Sequence, residues 1–101
     1  MNPATTTIRP LVTVPREQYL RKEEARIRSL ALPAVCADPL AAKHLTALEY
    51  AEDLQDRHEV AAVANRKAAN REHIAAEHDV YAAKAMQLKF YHLDQLSTIV
   101  L

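Results

Sequence analysis

The chain contains no glycine and no tryptophan, one cysteine and one phenylalanine, and none of its five prolines lies beyond residue 39. Each absence excludes something. Glycine and proline are the strongest punctuation in a sequence, so residues 40–101 read as long helix. Loops that cradle phosphate need glycine for backbone conformations other residues avoid, and none is expected here. A lone cysteine, Cys36, rules out an intramolecular disulfide framework and fits a reducing compartment. It lies in an apolar run, which predicts a small packed hydrophobe. No apolar run approaches the ~20 residues a membrane span needs, and no signal-peptide-like segment is present. Thirteen basic side chains cancel thirteen acidic ones, so nothing global draws the chain to nucleic acid or to an anionic membrane. The expectation is an intracellular, non-secreted protein of the cytoplasm, an organelle matrix or a virion assembled in the cytoplasm.

What is present is alanine. Nineteen alanines stand against 24 Leu, Ile, Val and Phe residues together. Alanine favours helix but buries little apolar area, so a core built from this composition is thin and a partner would stabilise it. The fold class expected is all-α: an extended N-terminal arm, a short helix, then one long helix or a helical hairpin broken near residues 65–70.

Residues 1–15 carry β-branched residues interrupted by Pro3, Pro10 and Pro15. Proline fixes φ and pushes its predecessor towards extended geometry. This arm is too apolar for a free linker and is expected to be held against something. Residues 16–32 read as the first helix, with Pro15 at its start and Glu17–Arg21 and Glu24–Arg28 as i,i+4 pairs. Residues 33–38 form a connection between Pro33 and Pro39. Asp38-Pro39 is the clearest boundary: aspartate caps a helix N-terminus and proline suits its first position. Residues 39–96 follow as the long helical segment, and 97–101 as an apolar tail.

The long segment repeats in sevens. Paired alanines recur at 61–62, 68–69, 75–76 and 82–83, which keeps one seam facing a partner. Ala61, Ala68, Ala75 and Ala82 are therefore candidate partner-binding residues, against the alternative of chance clustering in an alanine-rich helix. The column between them includes Glu72 and Asp79, which a dry coiled coil would not place there. The repeat crosses Asn65 and Asn70 without a break, which favours one continuous helix of ~87 Å at 1.5 Å per residue.

The C-terminal segment concentrates Phe90, Tyr91, Leu93, Leu96, Ile99 and Leu101. Such clusters mark contact surfaces when exposed, so these six are also candidate partner-binding residues. The alternative is a tail folded back on the first helix.

Chemistry is harder to find. Helical metal sites need ligands at i,i+3 or i,i+4. His73 and His78 are five apart, and no Glu-x-x-His occurs. Cys36, Ser29 and Ser97 lack the surroundings of a nucleophile signature. No catalytic residue, cofactor or metal is expected. Nucleic-acid contact, the lesser expectation, would run through Arg66, Lys67 and Arg71. The leading expectation is a non-enzymatic structural or accessory subunit that binds other protein subunits, or a second copy of itself, through arm, alanine seam and C-terminus. The alternative is a small helical nucleic-acid-binding or regulatory/inhibitor protein acting as a dimer.

Overall fold

The computed structural model describes residues 12–101, and among these it holds three helices and no strand. The helices are α1 (Val14–Ala34), α2 (Pro39–Arg66) and α3 (Glu72–Val100). The all-α class expected from composition is the one adopted. Residues 1–11, most of the expected arm, lie outside the described residues. The remainder of that segment is Val12, which is buried in the core, then Thr13, whose hydroxyl caps α1 by accepting from the Arg16 N–H at 3.4 Å. The helix thus begins two residues before 16. It also runs past Pro33, which occupies its last turn and removes one i→i−4 donor from the ladder there.

Asp38 caps α2 as its chemistry suggests, accepting from the Leu40 N–H at 2.9 Å with Pro39 at the first helical position. The continuous helix does not form. The chain reverses between Arg66 and Glu72, so the segment 39–96 is two helices, and the expected apolar tail is the last turn of α3. Two asparagines make the reversal. Asn70 adopts a left-handed backbone, φ 64°, which asparagine tolerates better than most residues. Asn65 donates to the Ala61 carbonyl at 2.8 Å and accepts from Arg71 Nε at 2.9 Å, tying the end of α2 to the start of α3.

The heptad recurrence misled for a physical reason. A seven-residue pattern folded about a turn near residue 68 lands on the same seam from both sides. Ala62 of α2 and Ala75, Ala82 and Ala85 of α3 are all buried, whereas Ala68 is exposed in the turn and Ala61 is half-buried.

One cluster forms the core. Val12, Leu20, Ile27 and Ala31 pack with Ala41, Leu45 and Leu48 of α2 and with Phe90, Leu93 and Leu96 of α3. It lies where the beginning of α2 meets the end of α3. Four charged side chains from all three helices join beside it. Arg28 pairs with Glu24 and with Glu52, each at 2.9 Å, and Lys89 reaches Glu24 at 3.4 Å and Glu52 at 3.3 Å. Two cations alternate with two acids, so the group is neutral. Burial alone would raise the Glu52 carboxyl, but Lys89 and Arg28 outweigh it and hold it below the ordinary carboxylate value. Farther along the hairpin, the buried positions are mostly alanine, and the named polar contacts of α1 reach no farther than Glu52 and Met86.

Candidate interaction surface

Two histidine pairs cross the hairpin. His44 and His92 place their Nδ1 atoms 3.0 Å apart, and His58 and His78 place theirs 2.9 Å apart. Position explains the match. His44 and His58 are two heptads apart on α2, and His78 and His92 are two heptads apart on α3. In an antiparallel hairpin turning near residue 68, both pairs therefore fall in one register. In each pair one ring must donate its Nδ1–H to the bare Nδ1 of the other. The Tyr81 ring lies 5.2 Å from that of His58, and Tyr91 meets His92 edge-on at 5.1 Å. Reading each helix alone for ligand spacing missed these pairs. The signal was available in residue numbers placed symmetrically about a turn, and it needed the turn to be known.

Each pair offers two imidazoles. Among the described residues no group of three or more His, Cys, Asp or Glu side chains could hold a metal ion.

His44 and His92 both sit below the ordinary histidine value of 6.5. Burial disfavours the imidazolium of each; Lys43 adds repulsion at His44, and His44 and then Lys43 do so at His92. A base whose value is depressed by folding takes up its proton more readily when unfolded. The stabilisation is therefore fully present above pH 6.5 and is lost as pH falls from there through the folded-state values. Chemical denaturation at stepped pH between neutrality and 5 is expected to show a falling midpoint. His44→Gln with His92→Gln should flatten that slope. An unchanged slope in the double variant would show that these rings do not govern it.

The sequence-derived candidates divide sharply. Ala75, Ala82, Phe90, Leu93 and Leu96 are buried inside the chain. Phe90, Leu93 and Leu96 pack with Leu20 and Ile27 of α1, so the C-terminal segment folds back on the first helix. Ile99 is half-buried against the core, while Tyr91, Leu101 and Ala68 are exposed. Cys36 is also exposed, contrary to expectation. It stands in the tight connection after α1, where its N–H bonds the Pro33 carbonyl at 3.4 Å and its side chain has no core to enter.

The basic cluster is largely committed. Arg66 bridges to Glu72 at 3.2 Å and to Asp79, which holds the Asp79 carboxyl below its ordinary value. Arg71 is bound to Asn65.

An apolar strip unread in the sequence lies on the outer face of α2. Val60, Val63 and Ala64 line a shallow depression with Glu59 at one end and Lys67 at the other. Val60 is 69% exposed and Val63 54%. Their spacing of i, i+3, i+4 puts them on one face, directed away from the α3 seam. Among the described residues no helix is long and apolar enough to cross a membrane.

Comparison with protein-family models, curated proteins and solved structures gives no match.

Proposed function

We propose that this chain is a non-enzymatic interaction protein, an accessory element of a protein assembly that docks through the half of the α2–α3 hairpin left uncovered by α1. One observation carries the reading: valines at 60 and 63 stay exposed on a helix whose other face is already packed. Scattered exposed apolar residues are ordinary, but an apolar strip around a concavity with charged rims has the anatomy of a binding site. The core and the four-charge group then act as a base that holds the hairpin, and the arm supplies a further grip.

A photocrosslinking residue at position 63, introduced in the cells that make the protein, is expected to capture protein. The same residue at position 26, among the charged side chains of α1, is expected to capture little. Equal yields at both positions, or none at 63, would sink the reading.

A further inference from the structure

We infer that the occupant of the Val60–Val63 strip is the same strip on a second copy of this chain, related by a two-fold axis passing close to Val63. The inference rests on the docking role proposed above and names its partner.

The argument is one of charge and symmetry. Glu59 and Lys67 lie four residues before and four after Val63, and both border the depression. Glu59 accepts a hydrogen bond from Gln55 at 3.2 Å. Among the described residues Glu59 and Lys67 belong to no ion pair, nor does Asp56, whereas Arg57 pairs with Asp53 and Arg66 with Glu72 and Asp79. A two-fold interface places each residue opposite its mirror position. With two α2 helices antiparallel and Val63 on the axis, Glu59 of each copy meets Lys67 of the other. Val63 meets Val63, and Val60 and Ala64 fill the depression on either side. A foreign partner would need the opposite order of charge, basic then apolar then acidic; a second copy turned end for end supplies it.

Scale sets the strength. The strip is one helix wide and about two turns long, well short of the roughly 1,600 Å² that a standard interface buries. The dimer is therefore weak and concentration-dependent. The charges at its rim set register and contribute modestly, while the central valines carry most of the affinity.

Sedimentation of the full chain across the micromolar to sub-millimolar range tests this. The native chain is expected to shift from monomer to dimer. Glu59→Lys alone and Lys67→Glu alone each set like charges across the axis twice and should weaken the dimer about tenfold. Combined, they restore opposite charges in reversed order and should recover the native affinity. Val63→Asp should abolish the dimer. All three positions are on the surface, so the helical circular-dichroism signal should not change. A native chain monomeric throughout overturns the inference. So does a double variant as weak as either single one, or a Val63→Asp chain that still dimerises. A strictly monomeric chain that nevertheless crosslinks to some other protein from position 63 overturns the self-association alone. Failure of any crosslink from position 63 overturns the docking role as well.

Discussion

Phe90→Ala is expected to bring the chain close to unfolding at room temperature. The ring is 1% exposed and sits in the cluster that joins all three helices. It is also clasped by charge: the Arg21 guanidinium lies 4.6 Å from its centroid and the Lys89 ammonium 5.5 Å. Truncation removes the apolar contact, leaves a cavity and strips two cations of their aromatic partner. Losses of this kind run at about 3–5 kcal/mol. A domain of this size has about 5–15 kcal/mol in total, and one whose hairpin seam is mostly alanine belongs at the lower end. Phe90→Leu keeps most of the volume and should cost far less. Urea denaturation followed by circular dichroism reads both. A loss below about 1 kcal/mol for the alanine variant would mean that α3 does not hold the core at this position.

The second large effect separates two residues that the sequence repeat treats as equivalent. Ala75→Glu is expected to destabilise by about 2–4 kcal/mol, because the carboxylate would enter the seam between α2 and α3 without a partner and wedge the helices apart. Ala75 is fully buried there. Ala68→Glu should change stability by less than about 0.5 kcal/mol, since residue 68 is an exposed turn position. On one continuous helix both alanines would lie on a single seam and respond alike. Thermal melting of the two variants side by side distinguishes the arrangements, and similar losses at 68 and 75 would contradict the hairpin.

How much of this was legible depends on the range of the physics involved. Asp38 and Pro39 are local signals. A side-chain oxygen two residues from a free N–H, with a ring that pre-sets φ, starts a helix in almost any surroundings. The pairs Glu17–Arg21 and Glu24–Arg28 formed as their spacing suggested, at 3.1 Å and 2.9 Å. Leu20, Ile27 and Ala31, seven and four residues apart, are buried along one face of α1. The turn at 67–71 was harder to read. It contains no glycine or proline, and asparagine in a left-handed conformation is a weak mark against an alanine pattern that runs across it.

The candidate site was legible only in part. Val60 and Val63 were in plain view, but which face of α2 would remain open depended on where α3 came to lie. The histidine pairs required two helices to be folded together before residues 48 and 20 positions apart became neighbours. Glu52 and Lys89 met for the same reason.

By itself, then, the sequence determined helix: absent glycine, confined proline and abundant alanine leave the backbone of residues 40–101 no other regular structure with a matching side-chain pattern. It also determined where the second helix starts and that some apolar face had to find cover. Only the tertiary structure decided which face. A single long helix would leave Phe90, Leu93 and Leu96 in water, whereas reversal at Asn70 lets them close on Leu20, Ile27, Leu45 and Leu48. Burying a large apolar side chain is worth about 1.5–3 kcal/mol, more than a left-handed asparagine costs. That balance among distant residues folded the hairpin, drew the histidines together and left Val60 and Val63 facing outward.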